Sequence, residues 1–298
     1  WLDVPDGAKL DQARDVLRRL EALDEAKRIT AMGTAMAGLP VHPRLAHMML
    51  RGDMLGLDDQ ACALAALLSD RDFMRGRGAD LRLRVEAILN RQAPKMIGEA
   101  AKQLARRLKE ARHKVDLTGD KDRVDRADQV GLLLAFAYPD RIGERRKGQD
   151  ARYRLSGGRG GVLPNGDSLA AEPYIAVAEL DGQAREAKIY LAAPLSRATL
   201  ETHFADQISE GTEVFWEAQS SAVQARWQRR IGALVLDEKA THDAADPEAI
   251  TTAMIEGIRR LGLHCLAWDK AADGLRERLA FLHRVDGESW PDVSGEGL

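Results

Sequence analysis

The sequence predicts an α+β protein of several units: a winged-helix unit, a helical bundle, a small OB-like β-barrel and a C-terminal helical segment. Three observations carry this. The chain has 298 residues, too many for one domain of roughly 100–150. Its apolar residues fall at helical spacing as far as Gly148 and alternate beyond it. Aromatic residues make up only 5%, too few for an aromatic-rich sandwich, whereas abundant Ala, Leu and Arg favour helices.

The winged-helix unit spans residues 1–52. Leu10, Ala13, Val16, Leu17, Leu20 and Leu23 form one helical stripe, opened by Pro5 and Asp6. Thr30 is a natural N-cap for a second helix, which must stop near Gly38-Leu39-Pro40. Pro43 can open a third, through Ala46 and Leu50. The helical bundle spans 53–147. Asp58 and Asp59 cap Ala61–Leu68, a run so apolar that it must be buried all round. A later helix carries Ile97, Ala101, Leu104, Leu108 and Ala111 on one face, with Lys102, Arg106, Lys109 and His113 on another. Asp128–Tyr138 is a further apolar helix, stopped by Pro139.

The barrel is placed at 148–238. Tyr153 and Leu155 begin the alternation, and a glycine turn follows at Gly157–Gly161. Tyr174–Leu180 is a strand, Asp181-Gly182 a hairpin turn, and the return run sets Ala187, Ile189, Leu191 and Ala193 on one side. Val214–Trp216, the run through Val223, Ala225 and Trp227, and Ile231–Leu236 complete five or six strands. The helical segment, 239–298, starts at the cap Asp246-Pro247. Its apolar face is Ile250, Met254, Ile258 and Leu261, and Gly262 ends the helix.

Formal net charge is −3, but its distribution is uneven. Residues 71–159 hold 23 Lys and Arg against 13 Asp and Glu, a net of +10 within a chain whose remainder carries −13. Such a basic stretch is an electrostatic footprint for a polyanion or, more blandly, a solvated arginine-rich surface.

Several functions are disfavoured. The chain has no G-x-x-x-x-G-K-[ST] phosphate loop. Without one, Leu234–Glu238 reads as a strand end rather than a magnesium site, and Gly157–Gly161 as a tight turn. His42 and His47 are five apart, off the helical ligand step, and His264-Cys265 lacks partners, so no metal site is expected. No nucleophile elbow is present. Two cysteines, Cys62 and Cys265, exclude a disulfide scaffold and fit a reducing cytoplasm. No apolar run approaches the roughly 20 residues that cross a bilayer, and no membrane partner is expected. The chain by itself reads as non-catalytic and free of cofactors.

Order and spacing of short motifs add a resemblance. Ile29-Thr30-Ala31-Met32-Gly33, followed by Met36 to Leu45 through Leu39-Pro40-Val41-His42-Pro43, resembles the signature that follows the motor domains of DEAH-box helicases. Ala63–Asp72 is similar to the first helix of their helicase-associated, or ratchet, bundle. Ala137–Ile142, Gly158-Arg159-Gly160, Ala178–Gly182 and Gly232–Leu236 resemble the bacterial HrpB branch. So do Trp1-Leu2-Asp3, Phe281–Arg284 and Trp290–Val293. The chain departs from the full family in lacking both RecA-like motor domains and the Asp-Glu-x-His box. ATP and magnesium are therefore expected only in motor domains elsewhere in a parent chain, and a further C-terminal family domain is expected to be cut off.

The resemblance implies a non-catalytic C-terminal region of an ATP-dependent RNA helicase. It would wall part of a channel for single-stranded RNA and dock onto the RecA-like motor domains. Candidate RNA contacts are Arg71, Lys102, Arg106 and Lys109 from the bundle and Arg159 from the barrel turn. Arg226 and Arg230, which share a strand face with Gln224 and Gln228, form a third patch. Two rivals are a protein-interaction module and a winged-helix transcription regulator. The second needs a basic recognition helix, yet Ile29–Leu50 holds only Arg44 among Lys and Arg.

Overall fold

The structure is a computed structural model that describes residues 6–114, 124–148, 151–182, 186–241, 246–262, 265–266 and 268–293. It divides into two compact units: 1–208 with 231–234, and 209–230 with 235–298. The α+β class expected from the sequence holds, and the first unit contains a closed barrel.

In the first unit, Asp6 caps helix α1 (Gly7–Arg19), its carboxylate accepting from the Ala8 N–H at 3.0 Å. Thr30 caps α2 (Ala31–Ala37): its hydroxyl oxygen accepts from the Gly33 N–H at 2.9 Å, and its O–H donates to the Glu21 carbonyl. Gly33 has to be glycine, because a Cβ there would lie 2.2 Å from the Ala22 carbonyl oxygen. Pro43 occupies the first turn of α3 (Pro43–Met54), as expected.

Helix α4 (Asp58–Leu68) is buried from Ala61 to Leu67. Leu57, not an aspartate, holds its cap position; Asp58 and Asp59 stand in the first turn, where they favour the helix dipole without a capping bond. Asp80 caps α5 (Leu81–Leu89), a helix not anticipated from the sequence. Its Leu-Arg-Leu-Arg start mimics strand alternation, and the helical register emerges only through Leu81, Arg84, Val85 and Ile88, all buried. Helix α6 (Lys95–Lys114) buries Ile97, Leu104, Leu108 and Ala111. Helix α7 (Gln129–Ala137) is buried at every position from Val130 to Ala137.

The barrel consists of β1 (Ile142–Arg145), β2 (Arg152–Leu155), β3 (Gly160–Val162), β4 (Tyr174–Leu180) and β5 (Glu186–Pro194). It closes in the order β1-β2-β3-β5-β4, antiparallel throughout except for β3 with β5. Tyr153, Leu155, Ile175, Val177 and Ile189 fill its interior.

The closure corrects the expected strand set. The ring starts at Ile142, within what reads as bundle, because Gly143 pairs with both Leu155 and Ile175. Four residues are too few to display alternation. Once closed, the barrel has no free edge, so the strands expected at 214–236 pair among themselves. They form a separate sheet, β6 (Ile208–Glu217), β7 (Ala222–Ile231) and β8 (Leu234–Ala240).

Bundle and barrel meet through α7. A Cβ on Gly131 would fall 1.8 Å from the Pro194 carbonyl oxygen, so the helix backbone lies directly on the end of β5. Asp128, just before α7, accepts hydrogen bonds from the Ser196 N–H at 3.1 Å and from the Ser196 and Thr199 hydroxyls. Ser196 itself caps α8 (Arg197–His203).

In the second unit, Asp246 caps α9 (Pro247–Leu261) and Gly262, at φ 87°, ends it. The expected apolar face is not the buried one. Ala253 and Gly257 are buried, whereas Ile250, Met254 and Leu261 are exposed. The reason is steric: Gly257 presses onto the Trp216 indole so closely that a Cβ would sit 2.1 Å from a ring carbon. Helix α10 (Lys270–Asp286), capped by Asp269, buries none of its residues.

Candidate nucleic-acid interface

The loop between α4 and α5 is held from inside. Arg84, 1% exposed, donates to both carboxylate oxygens of Asp72 at 3.0 and 2.9 Å and to the carbonyls of Met74, Gly78 and Asp80. The end of the loop is then tied to the barrel: the Ala192 N–H donates to the Ala79 carbonyl at 2.9 Å, and the Ala79 N–H to Asp167 at 2.8 Å. Between this loop and the outer side of β4–β5 lies a cleft of about 870 Å3.

Alternation along β5 decides the barrel wall. Ala187 and Ile189 are buried in the wall, so Lys188 and Tyr190 point outward into the cleft, with the Lys188 ammonium 5.4 Å from the Tyr190 ring centroid. Beyond them the ladder shifts register, and Leu191, expected on the inner side, lines the cleft while Ala192 joins the interior. Arg71 and Arg75 line the opposite wall. Neither Arg71 nor Lys188 makes an ion pair among the described residues. Exposed cations facing an exposed aromatic ring are the components of single-strand binding surfaces.

The other expected contacts lie elsewhere. Lys102, Arg106 and Lys109 are exposed along α6, opposite its buried stripe, and form no ion pair among the described residues. The side chain of His113, the fourth member of that row, lies outside the described residues. None of the α6 residues lines the cleft; Lys102 borders a second depression of about 460 Å3 with Arg91 and Lys95. Beneath that depression the Cys62 thiol is pushed up to about 12, by burial first and then by the charges of Asp58, Asp59 and Asp53. It stays a neutral, unreactive thiol.

Arg159 sits in the β2–β3 turn and donates to the Gly182 carbonyl at 3.2 Å. The glycines around it serve close packing: a Cβ on Gly157 would meet the Asp140 carbonyl at 2.7 Å, and one on Gly161 the Ile189 side chain at 2.8 Å. In the second unit, Arg226 pairs with Glu238 at 3.2 Å and Glu217 at 3.7 Å and lies over Phe215. Arg230 pairs with Glu213 at 2.7 Å. That patch is charge-balanced by its own carboxylates. Arg44 is also engaged, with Asp140 at 2.6 Å and the Ala137 carbonyl at 3.0 Å.

Sequence reasoning missed Arg75, Lys188 and Tyr190. For Lys188 and Tyr190 a signal exists, because placing Ala187 and Ile189 inward sends the residues that flank Ile189 out. Arg75 offers none, since it lies on an irregular loop. No group of three His, Cys, Asp or Glu residues among the described residues could hold a metal ion. No helix among them is long and apolar enough to cross a membrane.

Comparison with known proteins extends this picture. No family model matches the chain. The chain is 32% identical over 305 aligned residues to the ATP-dependent RNA helicase HrpB of Escherichia coli K12, an alignment covering all of this chain and 35% of that protein. Two crystal structures of the E. coli protein, described as a DExH-box NTPase and a DEAH/RHA helicase, match with TM-scores of 0.68 and 0.67. Their identities are 29% and 27%, again over the whole chain and 35% of theirs. The chain thus spans about a third of the length of the relatives it matches, and the expected likeness to the HrpB branch holds from end to end.

Proposed function

We propose, from a likeness to the helicase HrpB that runs the whole length of the chain, that this protein is an accessory region of an ATP-dependent RNA helicase. It contributes a wall of the channel for single-stranded RNA and docks onto RecA-like motor domains, which supply the ATP and magnesium chemistry. Helices α1–α3 serve as the winged-helix unit, α4–α7 as the ratchet-like bundle and β1–β5 as the OB-like barrel. The observation that carries the reading is the cleft in which Arg71, Arg75 and Lys188 converge around exposed Tyr190. A basic groove with an aromatic face provides sequence-independent affinity through counterion release and stacking. The exposed apolar residues of the second unit, among them Met254, Leu275 and Phe281, are suited to docking on protein. Arg44, locked to Asp140, is poorly placed to read DNA, which weakens the transcription-regulator alternative.

Filter binding of an unstructured RNA across a salt series tests the proposal. Weak binding that declines with salt is expected. Absence of binding at low salt overturns it. Calorimetric titration with ATP and magnesium is expected to give no heat, since phosphoryl transfer depends on positioning groups this chain lacks.

A further inference from the structure

We infer that the cleft seats one unpaired guanine of the bound strand, stacked on Tyr190 and gripped at its Watson–Crick edge by Glu179. The inference rests on the nucleic-acid reading above and adds base selectivity to it.

A surface that only tracks phosphates should not carry an unengaged acid. Glu179 lines the same cleft as Arg71, Arg75 and Lys188. The β4–β5 ladder shifts register on both sides of it, between Val177 and Glu179 and between Glu179 and Leu180. Bulges of this kind re-aim side chains beside functional sites. The result is that Glu179 is exposed at the end of a strand otherwise buried from Tyr174 to Ala178. Its Cα partner across the ladder is Leu191, the neighbour of Tyr190. Carboxylate and ring therefore share one patch of the cleft wall.

The cleft's other carboxylates are already engaged. Asp72 is held by Arg84, Asp167 accepts from the Ala79 and Leu169 N–H groups, and Asp70 accepts from the Arg71 N–H at 2.7 Å. The Glu179 carboxylate has no hydrogen bond or ion pair among the described residues, despite the cations around it. An unengaged acceptor-only group beside a stacking ring selects donors. Against a nucleobase, a carboxylate takes two parallel N–H donors best. Guanine offers that pair on N1 and N2. Adenine and cytosine place an acceptor nitrogen beside their amine, and uracil flanks its single N–H with carbonyls. Base edges are readable in this way only when the strand is unpaired. Lys188 and Arg71, on opposite walls, are placed to take the flanking phosphates, and the order imposed by buried Arg84 keeps the cleft preformed.

The test compares three oligomers with the whole chain: a uridine 12-mer, the same with one central guanosine, and the same with one central inosine, which lacks the N2 amine. The guanosine oligomer should bind about fivefold or more tightly than the all-uridine one, with inosine losing most of that gain. Glu179→Gln should abolish the preference while leaving uridine binding equal or tighter. Tyr190→Ala should weaken all three oligomers. Both residues are exposed, and circular dichroism checks that the variants stay folded. Equal binding of the three oligomers, or a guanosine preference that survives Glu179→Gln, overturns this inference alone. If no oligomer binds the unaltered chain at low salt, the nucleic-acid reading itself fails, and this inference with it.

Discussion

Arg84 reaches Asp72 from inside the protein, both carboxylate oxygens within 3.0 Å of its guanidinium, although the two residues belong to different parts of the bundle. The pair organises the loop that forms one wall of the cleft, because the same guanidinium also accounts for the carbonyls of Met74, Gly78 and Asp80. Removing one partner of such a pair leaves an uncompensated buried charge. Asp72→Asn is therefore expected to destabilise the chain by about 3–5 kcal/mol in urea unfolding. A loss below about 1 kcal/mol would show that the loop is held by other contacts.

The same pair sets a pH dependence. Burial raises the Asp72 carboxyl, but the Arg84 hydrogen bonds, the Met74 N–H and the charges of Arg84 and Arg75 outweigh it and hold the group below the usual carboxylate range. A folded-state value below the unfolded one stabilises the fold above the unfolded value of about 3.9. That contribution disappears as pH falls through the folded value. The urea midpoint should thus drop more steeply below about pH 4 in the parent than in Asp72→Asn, whose position 72 no longer titrates. Parallel curves for the two proteins would contradict the assignment.

In the second unit, the contact between Gly257 and Trp216 predicts an asymmetry along α9. Gly257→Ala introduces a Cβ where the indole already sits and should cost about 1–3 kcal/mol, with a change in tryptophan emission. Met254→Ala, at a position 51% exposed, should change stability by less than about 0.5 kcal/mol. The reverse order would mean that the large apolar residues form the packed face after all.

The arginines and lysines should separate by their partners. Replacing Lys102, Arg106 and Lys109 together with Ala should flatten the salt dependence of single-stranded RNA binding by up to about two units. Replacing Arg226 and Arg230 should leave that slope unchanged, because Glu238, Glu217 and Glu213 already balance them. If the triple variant keeps the parent slope, the α6 row is a solvated face.

What the sequence determined by itself is local or near-local. Thr30, Pro43 and Asp246 each mark a helix start, and Gly262 a stop, because caps and turns depend on a few neighbouring residues. The uniformly apolar runs of α4 and α7 could only be interior, and the two strand runs on either side of Asp181-Gly182 pair antiparallel as that turn signal implies. The order of short motifs was enough to reveal the likeness to HrpB. Tertiary structure alone decided where the barrel closes, since β1 is too short to show a period and is defined by its partners β2 and β4. It decided that α9 packs by its glycine rather than by its larger apolar residues, because close approach to Trp216 requires absence of a side chain. It also decided which cations remain available. Whether an arginine is neutralised depends on a carboxylate within 4 Å, and that carboxylate can lie far along the chain, as Asp140 does from Arg44. Charge counts along a sequence carry no information about that distance.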